Sequence, residues 1–296
     1  YVRTVTDPVR TGGVMRNEVT DRDEWSTELR LESDRAARFR YMVGAYYYES
    51  RRSLEERHFA IAPTVFSGET RVDNVALFGS IGFDITDRWE ATAELRYAED
   101  TVGNYNAIAR PTGPLIENTF DSVSPRVTTT FKFTPENMIY ANVAKGNKPG
   151  VINPDPRFPP EVRFADEEES WNYEVGTKNR LFDGRVMANL ALYYIDWKDQ
   201  QITTAFTFPT GGTQSYIRNA GATEIKGAEL ELEAAVTDSF TAGLTYSLTD
   251  TEFIELSDGE ALQLFGNASL KGKKLFGVPE QQASTYGKLT FPVGAD

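Results

Sequence analysis

Residues 228–253 read "AELELEAAVTDSFTAGLTYSLTDTEF", and this stretch decides the fold class. In its first part, apolar side chains alternate strictly with Glu229, Glu231 and Glu233. A period of two is the pattern of a β-strand that has one apolar face and one polar face. The residues "TDS" (237–239) then supply turn chemistry, and a second alternating segment follows. The stretch therefore predicts an antiparallel β-hairpin.

The same alternation recurs along the whole chain, as in "DEWSTELRLES" (23–33) and "RWEATAELRYAED" (88–100). Few segments carry a helical period. The pattern predicts twelve strands, at 1–6, 24–33, 39–50, 72–86, 89–99, 120–133, 138–146, 171–182, 185–198, 225–236, 240–251 and 284–292. Most of these strands are longer than the usual globular strand of about 5–6 residues.

The connections between these strands alternate between short and long. The short ones are 33–37, 86–88, 134–137, 182–184 and 237–239, and the long ones are 7–23, 51–71, 100–119, 147–170, 199–224 and 252–283. In an antiparallel meander, alternate connections lie at the same end. One rim should therefore carry tight turns and the other long loops, which is the asymmetry of transmembrane β-barrels.

Two fold classes fit this pattern: an all-β, antiparallel transmembrane β-barrel and a soluble β-sandwich. Strand length favours the barrel, because a tilted membrane-spanning strand needs about 9–11 residues. Aromatic residues near strand ends also favour it, since barrels carry aromatic girdles. They are Tyr46, Tyr47, Tyr48, Trp171, Tyr173, Tyr193, Tyr194 and Trp197. In a barrel, Leu230 and Leu232 would face lipid, and Glu229, Glu231 and Glu233 would form a lumen-facing wall.

Twelve strands indicate a fragment of a larger barrel, and we expect 22 strands in the complete one. Barrels of 16–18 strands leave an aqueous channel, and those of 22 have a plugged lumen. We expect residues 1–296 to be an interior piece of a longer chain. Such a fragment would expose unpaired strand edges at both ends. Expressed alone, it should aggregate or refold poorly.

Composition excludes several functions. A net charge of −13 disfavours nucleic acid as a partner. The chain lacks cysteine and has one histidine, so a nitrogen and sulfur metal site is implausible.

His58 falls in a predicted loop and is interpreted as a solvated residue. The acidic run 166–169 has no calcium-loop spacing and is interpreted as solvated charge. Gly211 and Gly212 lack the strand-to-helix context of a phosphate site. We expect no enzyme activity and no cofactor.

Several segments in order resemble the TonB-dependent outer-membrane receptors. "SPRVTTTFKFTPENMIYANVAKGNKPGVIN" (124–153) resembles the segment of that family in which a strand, a tight turn and a strand ending in "YxxxxKGxKPGxxN" follow one another. "EESWNYEVGTKNRLFDGRVMANLALYYIDWKDQQI" (168–202) resembles the next hairpin, and "LFGVPEQQASTYGKLTF" (275–291) a strand beyond it. Asn147 and Val151 depart from the pattern, in which an aromatic residue and a glycine are common.

The resemblance implies an outer-membrane receptor of a Gram-negative bacterium. Such a receptor would bind a scarce solute with its extracellular loops and import it with energy from TonB. A ferric siderophore complex is the first expectation for the solute, with cobalamin or an oligosaccharide as others. The family's plug domain and TonB box would lie outside this chain, and outer-membrane lipid would surround it. A passive porin-like channel and a soluble β-rich binding protein stay as alternatives.

The loop 147–170 is the candidate site for solute contact. Its Lys148, Arg157 and Arg163 could touch an anionic solute, because a rigid scaffold lets loops carry binding residues. The loop is nevertheless acidic on balance. The other interpretation is that this segment only terminates a strand and places charges at the level of the lipid headgroups.

Overall fold

The computed structural model describes residues 5–8, 15–59, 64–105, 115–256 and 269–291. Within them the chain forms strands β1 (Val5–Pro8), β2 (Met15–Glu32), β3 (Phe39–Phe59), β4 (Thr64–Thr86), β5 (Trp89–Tyr105), β6 (Ile116–Thr134), β7 (Asn137–Lys148), β8 (Val151–Ile152), β9 (Phe164–Ala165), β10 (Glu168–Leu181), β11 (Val186–Thr207), β12 (Thr213–Ala235), β13 (Phe240–Leu256) and β14 (Gln281–Leu289). The helical element among the described residues is a single 3₁₀ turn, Pro160–Val162. It has neither the length nor the apolar content needed to cross a membrane.

Twelve of the strands form one antiparallel sheet, and each pairs with the next one along the chain apart from the short hairpin β8–β9, which stands by itself. The predicted antiparallel meander and its alternating strand directions are confirmed, although most of the first predicted strand, 1–6, lies outside the described residues. Tight turns join the strands at one rim. In the turn between β10 and β11, Phe182, Asp183 and Gly184 all have positive φ values.

The two faces of the sheet differ as the sequence predicts. Cross-strand partners share a face, and the register Leu29–Ala45–Leu77–Tyr97–Val123 follows one apolar row across five strands. Leu29 is 76% exposed and Leu77 61% exposed. A soluble sandwich would bury this face against a second sheet, whereas exposed apolar area on this scale marks a surface that meets a membrane or another protein. We call it the apolar face and the opposite one the polar face.

Several predicted long loops are in fact paired strands. β3 continues to Phe59, and its 21 residues span about 70 Å, far more than a bilayer crossing requires. The backbone of His58, predicted in a loop, pairs with Arg16 and Thr64. The prediction was wrong because no Gly or Pro interrupts "RRSLEERHF" (51–59), so the hydrogen-bonded ladder continues beyond the membrane. Likewise β11 and β12 extend through most of 199–224, leaving a short turn at 208–212.

The predicted aromatic girdle divides between the two faces. Tyr173 and Tyr194 are register partners on the apolar face, with ring centroids 6.0 Å apart. Tyr193 and Trp197 point the other way, in register with the polar-face residues Glu174 and Ser170. Adjacent residues in a strand point to opposite faces. Clustering near strand ends therefore predicted more girdle residues than the apolar face carries.

Candidate functional site

The candidate site is the long connection between β7 and β10, residues 149–167, which we call the strap. Lys148 is the last residue of β7, and Glu168 is the first residue of β10. Inside the strap, β8 and β9 pair through Val151–Ala165 and Ile152–Phe164. Several of the most buried residues in the described chain belong to the strap or contact it. They are Phe120, Ile152, Asn153, Asp155, Phe158, Ala165, Glu168 and Phe208.

The strap folds over the polar face of the sheet. The backbone at Gly150 lies so close to the Phe120 ring that an added Cβ would sit 2.1 Å from Phe120 Cε1. Phe120 is in register with Asp100 on the polar face. From Gly150 the strap runs across the polar face. At one end β8 lies against β5 and β6, and at the other end β9 lies against β12. The strap therefore bridges strands that are far apart in the sheet.

Glu168 fixes both ends of the strap. Its carboxylate accepts hydrogen bonds from Lys148 Nζ at 2.8 Å, from Trp197 Nε1 at 2.9 Å and from the backbone N–H of Gln201 at 2.8 Å. The residue is 4% exposed. The interpretation of this acidic run as solvated charge is wrong for Glu168, because three donors replace its water shell. The donors lie 20 to 33 residues away in sequence, so the local pattern could not reveal them.

Amide side chains attach the strap to the β11–β12 hairpin. Asn153 forms two hydrogen bonds with the backbone of Ile217, donating to its carbonyl at 2.7 Å and accepting from its N–H at 2.8 Å. Asn219 makes the same kind of pair with the backbone of Asp166, at 3.0 and 2.6 Å. Gln201 Nε2 donates to the carbonyls of Pro149 and Asp166. These bonds satisfy backbone groups that irregular structure would otherwise leave unpaired.

An aromatic cluster forms a small core between the strap and the hairpin. Phe158 is 2% exposed, and its ring centroid lies 5.5 Å from that of Phe206, 5.6 Å from Phe208 and 5.8 Å from Tyr216. The Arg157 guanidinium lies 4.6 Å from the Phe208 ring centroid. Sequence analysis missed this cluster, although Phe158, Phe206 and Phe208 are conspicuous apolar residues in segments predicted as loops.

The three predicted solute-contact residues have intramolecular partners. Lys148 pairs with Glu168, and Arg157 Nε lies 2.9 Å from Asp155 Oδ1. Hydrogen bonds from Arg157 hold the pKa of the Asp155 carboxyl below its usual value, although burial opposes this. Arg163 Nε lies 3.4 Å from the Phe158 carbonyl oxygen. The side chains of Lys148 and Arg157 remain 57% and 54% exposed, so each keeps a side that faces solvent.

The predicted wall glutamates all lie on the polar face of β12. Glu231 is in register with Asn189 and accepts a hydrogen bond from its amide at 2.9 Å. Glu233 accepts a hydrogen bond from the Tyr286 hydroxyl. Glu229 is in register with Ser247 of β13. The arrangement offers a hydrophilic surface along the strand.

Comparison with known proteins agrees with this architecture. Residues 1–295 match the model of the family described as "TonB dependent receptor-like, beta-barrel". The pesticin receptor of Yersinia enterocolitica is 25% identical over 237 residues, covering 78% of this chain and 34% of the relative. The metal-pseudopaline receptor of Pseudomonas aeruginosa is 25% identical over 228 residues, covering 75% of this chain and 29% of the relative.

A solved structure shows the same fold. The ferric yersiniabactin uptake receptor FyuA from Yersinia pestis superposes with a TM-score of 0.75 at 21% identity, covering 97% of this chain and 42% of that one. This chain spans about a third of the length of the curated relatives it matches. The apolar face, the meander and the family match lead to one conclusion: the chain belongs to the β-barrel of the TonB-dependent receptors, which are outer-membrane proteins of Gram-negative bacteria.

Proposed function

We propose that this chain forms part of the wall and mouth of a receptor that binds a metal–siderophore complex at the cell surface and imports it with energy supplied through TonB. The observation that carries the proposal is the family match over residues 1–295. Two relatives support the choice of solute. One is named as a metal–pseudopaline receptor, and the other, of known structure, is named as a ferric yersiniabactin uptake receptor.

The proposed solute contacts lie on the solvent side of the strap. Lys148 and Arg157 have one side of the charged group engaged with a carboxylate and more than half of the side chain exposed. An anionic group on the solute could share these cations without displacing the internal partners. Arg163 would add a third positive charge nearby. A receptor loop that is already folded supplies such contacts at a low entropy cost.

The proposed pathway beyond the mouth is lined by the polar face of the sheet. Glu229, Glu231 and Glu233 would form part of a wet lumen wall, because in this family the apolar face meets lipid and the opposite face encloses the interior. Their hydrogen bonds to Asn189 and Tyr286 hold two of them along the wall.

Growth of a strain that lacks its own siderophore receptors tests this proposal. The full-length receptor carrying this chain would be expressed in that strain, with iron supplied only as ferric yersiniabactin, iron–pseudopaline, ferric citrate or another defined complex. We expect growth on one metal–siderophore class at nanomolar to micromolar supply. Growth only on cobalamin or an oligosaccharide would overturn the solute class. Equal, non-saturating entry of unrelated small solutes would favour the porin-like alternative.

A further inference from the structure

We propose that the strap is a preformed, rigid part of the receptor mouth rather than a lid that closes over solute, and that Glu168 is the residue that positions it. The inference rests on the proposed function for its biological meaning. The rigidity itself can be measured on the receptor without any solute.

The first argument is the position of Glu168 at the junction of the strap with the sheet. One buried carboxylate joins the end of β7, through Lys148, to the start of β10. The same carboxylate also holds β11, through Trp197 and the backbone of Gln201. β11 changes register here, and Asp199 adopts a positive φ of 53°. Glu168 therefore fixes the strap ends and the local bend of the neighbouring strand together.

The second argument is that the far side of the strap has attachments of its own. Asn153 holds the backbone of Ile217, Asn219 holds the backbone of Asp166, and Phe158 fills the aromatic cluster. The amide contacts lie on β12, whereas the Glu168 contacts lie on β7 and β11. A lid motion would have to break both sets together and expose the buried Glu168 carboxylate and an aromatic core to water. Contacts that break only as a unit make a cooperative and rarely opened segment.

The consequence concerns how solute is recognised. If the strap is preformed, solute meets its exposed residues in their final positions, and binding does not require the segment to be ordered. Loosening the strap would then weaken solute binding, because the ordering cost returns at each binding event. The maximal uptake rate at saturating solute would stay the same, since the strap does not act in the energised step.

Amide hydrogen exchange, followed by mass spectrometry on the complete receptor in detergent, tests the inference. In the unmodified receptor, peptides from 149–167 should exchange about as slowly as those from β7 and β10. Glu168→Gln replaces one of the two acceptor oxygens by an NH₂ donor. The three donors that surround Glu168 would then share a single acceptor. We expect the substitution to speed exchange in the strap by about 100-fold, with β3 and β4 unchanged. The matched control is Glu161→Gln, an exposed glutamate of the same strap, which should leave exchange unaltered.

Two further measurements keep the inference falsifiable. Trp197→Phe keeps an aromatic ring at this position, although a smaller one, and removes one donor to Glu168. It should speed strap exchange by a smaller factor, and it can be measured even if Glu168→Gln prevents membrane insertion. With the complex identified by the growth assay, Glu168→Gln should raise the half-saturation concentration for uptake about tenfold at unchanged maximal rate. Exchange of 149–167 within seconds in the unmodified receptor would overturn the rigid strap, whether or not the proposed solute is correct. Equal exchange in Glu168→Gln and Glu161→Gln would remove Glu168 from its positioning role.

Discussion

Tyr193 of β11 lies directly opposite Gly227 of β12 on the polar face, and this contact allows a quantitative prediction. The two residues are register partners, and a Cβ added at Gly227 would sit 2.3 Å from the Tyr193 ring and hydroxyl. The Tyr193 hydroxyl reaches over the glycine to Thr249 Oγ1 on β13 at 3.1 Å. The same arrangement recurs on the polar face at Gly44–Phe78, Gly176–Tyr140 and Gly243–Tyr286.

The cost of Gly227→Ala can be estimated from these contacts. Forcing a methyl group into the occupied space costs about 1–3 kcal/mol, and losing the bond to Thr249 costs about 0.5–1.5 kcal/mol. Replacing glycine by alanine in a strand returns about 0.5–1 kcal/mol. The net expectation is a loss of about 0.5–4 kcal/mol in the free energy of unfolding. Gly82 is the matched control, since its added Cβ would meet only ordinary contacts at 3.5 Å and beyond.

Urea unfolding of the complete receptor in detergent would measure both changes. We expect Gly227→Ala to be destabilised and Gly82→Ala to be equal to the unmodified protein or slightly more stable. In a Tyr193→Ala background the penalty at Gly227 should disappear, because the overlapping ring is gone. If Gly227→Ala is as stable as Gly82→Ala, or if the penalty survives without Tyr193, the packing described for this face is wrong.

Three further predictions concern the strap. Phe158→Ala should cost about 3–5 kcal/mol of local stability, because the ring is almost fully buried. It should speed amide exchange of 149–167 by about 10²- to 10⁴-fold while leaving β3 and β4 unchanged, and unchanged exchange would contradict the aromatic core. Because Arg157 holds the pKa of Asp155 below its unfolded value, this pair should stabilise the strap above about pH 4 and lose its effect as the pH falls through the lower folded pKa. Burial raises the pKa of Glu167, so this group affects the pH dependence of strap stability in the opposite sense. The test therefore compares strap exchange between the unmodified receptor and Asp155→Asn from pH 6 to pH 3. Identical profiles would contradict the role of the Asp155–Arg157 pair. Replacing the predicted solute-contact residues Lys148, Arg157 and Arg163 together by alanine should weaken solute binding most at low ionic strength, where charge attraction is least screened. Unchanged affinity there would show that these residues do not contact the solute.

Much of the fold was predictable from sequence because the membrane imposes a strict local rule. Strands that cross lipid must alternate, so Leu230 and Glu231 already reveal the two faces, and the tight turns carry their own local chemistry. Strand ends were predicted poorly for the same reason. Beyond the lipid both faces are wet, and a segment such as 51–59 continues its pairing without an alternating signal.

The strap could not be predicted, since its contacts join residues that are distant in sequence. Asn153 and Ile217 are 64 positions apart, and Glu168 meets Trp197 across 29. From sequence alone, Glu168 has the same appearance as its exposed neighbour Asp166. That Lys148 and Arg157 contact solute stays a prediction. Their carboxylate partners became visible only when the segment was folded.

Energy dependence of uptake tests the central proposal most directly. Cells expressing the full-length receptor would be given the radiolabelled metal–siderophore complex identified by growth, with and without a functional TonB protein. We predict saturable uptake that falls to the level of surface binding when TonB is inactivated. Uptake that continues at the same rate without TonB, and rises linearly with concentration, would show a passive channel and contradict the account.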